Sequence, residues 1–107
     1  MDEIKELLRK FNKDRDWSQF HTPASLARSV IIEAGELLEC FQWSDDDYDL
    51  HAVSDEIADV IIYCIMLSDK LDIDIKHEVL RKISENAEKY PVSKCKGSSK
   101  KYTELED

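Results

Sequence analysis

At 107 residues the chain is long enough for one domain and too short for two. A formal net charge of -9, with no basic helix or basic run with interleaved aromatics to offset it, argues against a DNA or RNA polymer as partner. The same charge leaves room for a free nucleotide, provided that divalent cations sit between the acidic protein and the phosphates.

Two Gly and two Pro supply little turn chemistry for a many-stranded sheet, and Glu, Lys, Leu, Ile, Ala and Asp dominate, so an all-α fold is expected. The start, MDEIKELLRKF, lacks the basic flank and apolar block of a signal peptide, and it places Ile4, Leu7, Leu8 and Phe11 on one face of a helix ending near Asp14. Thr22 can cap a second helix with Pro23 in its first turn, running over residues 23–42 with a stripe of Leu26, Val30, Ala34, Leu37 and Phe41. After the acidic connection SDDDYD, a third helix over 48–71 carries Val53, Ile57, Val60, Cys64 and Leu67 on one side. Ala58, Ile62, Ile65 and Met66 lie on its other side, which predicts a cover from another subunit. A fourth helix over 75–89 has Val79, Leu80, Ile83 and Ala87 before Tyr90-Pro91 stops it. The pattern predicts a four-helix bundle-like helical domain over residues 1–91, with 92–107 as a flexible polar C-terminal tail.

The longest apolar run, Val60 to Leu67, is far short of a membrane span, so no membrane partner is expected. Three cysteines, Cys40, Cys64 and Cys95, form no CxxC pair and are poor material for a disulfide framework, which favours a reduced, cytoplasmic protein. A small helical domain buries too little surface to be very stable alone, so self-association is expected.

The chemistry lies in acids. Glu33 and Glu36 are three apart on the second helix, Glu56 and Asp59 are three apart on the third, and each pair shares a face. Spacing alone is weak, since 24 acids in 107 residues give about five such pairs by chance, mostly on solvated faces. Context is stronger: VIIEAGELLE and DEIADVIIYCI are otherwise mostly apolar. Glu56, Asp59 and Tyr63 fall along one narrow edge of the third helix, and Glu33, Glu36 and Trp43 do the same on the second. Carboxylates at the border of a core need cations, protons or metal ions, and neither helix has a basic residue in register. Oxygen ligands suit Mg²⁺ or Mn²⁺. A di-iron site wants Glu-x-x-His, whereas His21, His51 and His77 are preceded at three residues by Ser18, Tyr48 and Asp74. Solvated or salt-bridged acids are the competing reading.

Trp17, Phe20, Trp43 and Tyr63 could stack on a planar base, although aromatics at helix ends more often only pack. His21, just before Thr22-Pro23, reads as a structural hydrogen-bonder, and Cys40 and Cys64 as inert core residues. Lys94, Lys96, Lys100 and Lys101 could close over phosphates or simply be solvated.

The order Glu33-x-x-Glu36 then Glu56-x-x-Asp59 resembles the metal-binding pattern of the MazG-like nucleotide pyrophosphohydrolases. RDWSQFHTP, EAGELLECFQW, DEIADVIIYC, the set Lys82, Asn86 and Tyr90-Pro91, and SSKKYTEL extend the likeness to the dCTP pyrophosphatase-like branch over residues 4–105. The resemblance implies a MazG-type all-α fold, a homotetramer built as a dimer of dimers, and Mg²⁺ (with Mn²⁺ as substitute) on Glu33, Glu36, Glu56 and Asp59. It also implies a base framed by Trp17, Trp43 and Tyr63, with Lys82 and Asn86 reaching the nucleotide, in some arrangements from a neighbouring subunit. Leu8 stands where dCTP-specific relatives carry a histidine, so acceptance of dATP beside dCTP is part of the expectation.

The function implied is hydrolysis of nucleoside triphosphates to monophosphate and pyrophosphate, as nucleotide pool house-cleaning. Two alternatives stay open: a non-enzymatic helical association module, and a metal-dependent phosphohydrolase that releases orthophosphate.

Overall fold

The computed structural model describes residues 1–99 and 102–104. Its four long helices are α1 (Asp2–Asp14), α2 (Pro23–Glu39), α3 (Leu50–Lys70) and α4 (Ile75–Lys89), followed by the short α5 (Val92–Cys95). Single 3-10 turns lie at Ser18–Phe20 and Tyr102–Glu104, and no strand occurs among the described residues. No helix among them is long and apolar enough to cross a membrane.

Each helix begins where the sequence can satisfy its free amides. Asp2 and Glu3 place negative charge in the first turn of α1, against the positive end of its dipole. Thr22 and Ser25 form a reciprocal cap on α2: the Ser25 amide donates to Thr22 Oγ1 at 3.1 Å and the Thr22 amide to Ser25 Oγ at 2.9 Å. Asp49 accepts from the His51 amide at 2.9 Å to start α3, and Asp74 from the His77 amide at 3.0 Å to start α4. Just after α3, Asp72 takes φ 55°, a left-handed conformation that Asp tolerates better than most residues.

The chain forms two compact units, Met1–Ile73 and Asp74–Asp107. In the first, α2 and α1 both pack on α3, around Leu26 at 2% exposure and Ile65 at 3%. Arg9 fastens α1 to α3: its Nε donates to Asp69 Oδ2 at 2.8 Å while its Nη2 donates to Oδ1. In the second, Arg81 of α4 pairs with Glu78 at 2.7 Å and Glu85 at 3.0 Å, ion pairs along one face of the helix.

Two expectations need correction. The second helix ends at Glu39, not 42, because the Cys40, Phe41 and Gln42 amides bond to carbonyls three residues back (Leu37, Leu38 and Glu39), tightening into turns. Trp43 is thus off the helix, and the edge it was to share with Glu33 and Glu36 does not extend to it. On the second side of α3, Ile65 is core and Ile62 and Met66 are half-buried within the chain, while Ala58 stays exposed. Apolar surface is left open on α3 at Ile57 and Ile61 and on α2, where Ile31 is 72% exposed beside Ile32 and Leu38. Finally, the segment after Pro91 is not all loop: the Lys94 and Cys95 amides both bond to the Pro91 carbonyl and open α5. Lys100 and Lys101 lie outside the described residues.

Candidate active site

Because α2 packs on α3, the two acidic pairs meet. One carboxylate oxygen from each of Glu33, Glu56 and Asp59 can be chosen so that all lie within 4.8 Å of one another. Glu36 is not in that trio but is close enough to act on both Glu33 and Glu56.

The electrostatics are those of an uncompensated site. Glu33 Oε2 and Glu56 Oε2 are buried without a hydrogen-bond partner among the described residues. No lysine or arginine among those residues pairs with Glu33, Glu36, Glu56 or Asp59, although lysines and arginines make seven ion pairs elsewhere among them. Burial, then contact with the Glu36 carboxyl and the charges of Glu36, Asp59 and Glu56, push the Glu33 carboxyl up to about 7. Burial, with Glu36 and Asp59 nearby, also raises Glu56. A folded protein seldom leaves several carboxylates at a core border without cations, and a divalent ion is the economical remedy. The donor set, all hard oxygens with orphaned lone pairs, fits Mg²⁺ or Mn²⁺.

Asp59 also borders a cavity of about 300 Å³ between α1, α3 and the turn that joins α1 to α2. Its walls are mostly apolar, with Leu8, Phe11, Trp17, Tyr63 and Met66 among them. Phe11 meets Trp17 edge-on, ring centroids 5.6 Å apart, and the Arg15 guanidinium covers Phe11 at 3.7 Å. A flat cavity wall beside an acidic cluster can take a planar group on one side and a polyanion, through cations, on the other.

Of the aromatic residues singled out from sequence, Trp17 and Tyr63 reach this cavity and Trp43 does not; Trp43 is 89% exposed beyond α2. Phe20 is exposed and lines no described cavity that includes Asp59. Lys82 and Asn86 lie on α4 in the second unit, where Lys82 Nζ donates to Glu85 Oε1 at 3.1 Å. Sequence reasoning missed Phe11, Met66 and Asn12 as cavity residues and assigned His21 a structural role, although it too faces the cavity. Phe11 and Met66 carry an ordinary core pattern; Asn12, a polar residue directly after an apolar stripe, was the available signal.

A family model described as the MazG-like family matches residues 29–105, which include all four acids. The dCTP pyrophosphatase 1 of Homo sapiens is 36% identical over 114 aligned positions, covering 98% of this chain and 67% of that protein. That of Rattus norvegicus is 35% identical with the same coverage. The crystal structure of a pyrophosphatase from Archaeoglobus fulgidus DSM 4304 superposes with a TM-score of 0.80 at 40% identity, over 85% of this chain and 92% of that one.

Proposed function

The chain belongs to the MazG-like family, and from that premise we propose that it is a Mg²⁺-dependent hydrolase that cuts nucleoside triphosphates to monophosphate and pyrophosphate. Pyrophosphohydrolysis of nucleotides is supported by relatives named dCTP pyrophosphatase 1 and by a pyrophosphatase of the same fold. The single observation that carries the metal dependence is the acid cluster, with Glu33 Oε2 and Glu56 Oε2 buried and unpartnered.

Glu33, Glu56 and Asp59 would hold Mg²⁺, or Mn²⁺ in its place, with Glu36 alongside. A divalent ion held there would neutralise triphosphate charge and polarise the α-phosphate. The protein's own contribution is position and proton transfer. Trp17 and Tyr63 wall the cavity in which the base lies, next to Asp59, so the α-phosphate is delivered to the carboxylates. Water attacks the α-phosphorus, the bond to the β-phosphate oxygen breaks, pyrophosphate leaves, and the water's proton passes to a carboxylate of the cluster.

The substrate is a pyrimidine deoxynucleotide such as dCTP, with dATP also accepted: Leu8 lines the cavity and offers no hydrogen bond, and apolar walls tolerate either ring size. The chain works as a homo-oligomer, in the reading a dimer of dimers, supported by the exposed Ile31, Ile32 and Leu38. By the family resemblance Trp43, Lys82 and Asn86 are proposed as further nucleotide-binding residues. The physiological role is removal of unwanted nucleotides from the pool.

A panel of nucleoside triphosphates with separate quantification of pyrophosphate and orthophosphate, with and without chelator, tests the reading. Pyrophosphate is expected in Mg²⁺ alone. Orthophosphate as sole inorganic product would replace this reaction with simple phosphohydrolysis, and full activity in excess chelator would remove the metal.

A further inference from the structure

Asn12 is the one buried polar side chain on the cavity beside Asp59, at 8% exposure. Among the described residues its carboxamide makes no hydrogen bond, while its backbone carbonyl accepts from the Trp17 amide at 3.0 Å. A carboxamide on a largely buried residue that the chain itself leaves unpaired is open to an outside partner. Here the amide opens onto a cavity, which is where a ligand can supply what the protein does not.

Its place along the cavity matters. A second cavity of about 280 Å³ runs beside Ile65, Asp69 and Lys70, and the residues shared by both are Leu8, Asn12, His21 and Met66. Asn12 therefore sits with Met66 at the end of the first cavity away from Asp59. Seven residues of α3 separate Asp59 from Met66, roughly 10 Å at 1.5 Å per residue. That length accommodates a base and sugar with the phosphates at Asp59. The walls between are apolar or aromatic, and the carbonyl bond to Trp17 ties the aromatic wall and the amide to one backbone segment.

We propose that Asn12 hydrogen-bonds the polar edge of the substrate base and makes recognition depend on it, an inference that rests on the nucleotide reading above. Oδ1 accepts from an exocyclic amino group while Nδ2 donates to the adjacent ring nitrogen. Cytosine, through its 4-amino group and N3, and adenine, through its 6-amino group and N1, both present that pair. Stacking on Trp17 is tolerant of base identity, so the carboxamide is the group that discriminates.

The test compares dCTP and dATP with their analogues lacking the exocyclic amino group (the 2-pyrimidinone and purine deoxynucleoside triphosphates) in the full chain with Mg²⁺. Wild type is expected to prefer each natural base about tenfold or more in kcat/KM, the range of a bidentate side-chain contact to a base. Asn12→Leu, which keeps size and loses polarity, should bring the ratio near one. Asn12→Asp, which keeps the acceptor and loses the donor, should give an intermediate ratio. Equal loss on natural base and analogue would assign Asn12 a structural role and overturn the proposal. So would wild-type indifference to the amino group, a result that needs no variant to fold. Absence of pyrophosphate release from any triphosphate by wild type would overturn the parent reading, and this one with it.

Discussion

Two carboxylate settings on α3 make an instructive contrast. Asp69, near the C-terminal end, is gripped by Arg9, whose guanidinium holds the carboxyl below its ordinary range. Glu56, thirteen residues earlier on the same helix, has a buried oxygen with no partner, and its carboxyl is raised by burial and by other acids. The first acid is answered from within the chain and closes α1 onto α3. The second is left to be answered from outside. Acids that a fold has paired are structural, whereas acids packed together without a cation mark where a cation is to come.

The contrast breaks most severely at the cluster itself. Asp59→Asn, and separately Glu36→Gln, should lower kcat/KM by at least about a hundredfold, since loss even of groups that only support a metal costs 10–100-fold. Without metal, the same substitutions remove one of several mutually repelling charges and should leave the melting temperature unchanged or raise it. Steady-state kinetics and melting in chelator measure the two halves. An Asp59→Asn enzyme with near-normal turnover would mean that the unpaired acids are not the site.

Much of this was legible in the sequence, because local chemistry set it. The limits of α4 follow from the Asp74 cap and the Tyr90-Pro91 stop. The two acidic pairs could be matched because three-residue spacing puts each on one helix face. What could not be read was tertiary. Apolar periodicity through Phe41 hid the change to tighter turns after Leu37, and nothing local revealed that α1 would cover the side of α3 around Ile65. Asn12 escaped notice because its meaning comes from a cavity built by two helices and a turn.

A pH series sharpens the comparison by opposite signs. Glu33 is raised to about 7 from an ordinary 4.5, so its contribution to stability is fully present below 4.5 and is lost as pH rises toward 7. Asp69 is lowered, so its contribution is present above its ordinary 3.8 and disappears as pH falls through its depressed value. Metal-free protein should therefore melt at a higher temperature near pH 5 than near pH 8, and lose stability again in strong acid. Mg²⁺ should raise the melting temperature more at pH 8 than at pH 5, because protons compete for the same oxygens. A metal-free melting temperature that climbs from pH 5 to 8 would contradict the strain assigned to the cluster.

A smaller effect is expected at the paired acid. Arg9→Ala frees Asp69 and loosens α1 from α3, so melting should drop modestly while the metal requirement is unchanged. If Arg9→Ala instead abolished the response to Mg²⁺, the division between structural and functional acids would be wrong.

The smallest effect should come from Trp43, and it probes a second contrast, between aromatics that the single chain organises and one that it does not. Trp17 is held on the cavity by its edge contact with Phe11 and by the bond from its amide to the Asn12 carbonyl. Trp43 stands 89% exposed in the connection after α2, which is itself braced by the contact of Phe41 with Tyr48 at 5.0 Å between ring centroids. Stacking of a base on an aromatic ring is worth roughly 1–3 kcal/mol, so Trp17→Ala should raise KM about fivefold or more with kcat less affected. Trp43→Ala should raise KM by a smaller factor, on the proposal that its ring reaches the nucleotide only in the assembled oligomer. Dilution separates the two residues: as oligomer dissociates, wild type should approach the KM of Trp43→Ala, while Trp17→Ala keeps its own deficit. A Trp43→Ala deficit that exceeds that of Trp17→Ala, and persists in the monomer, would reverse the assignment and make the exposed ring the principal wall of the base site.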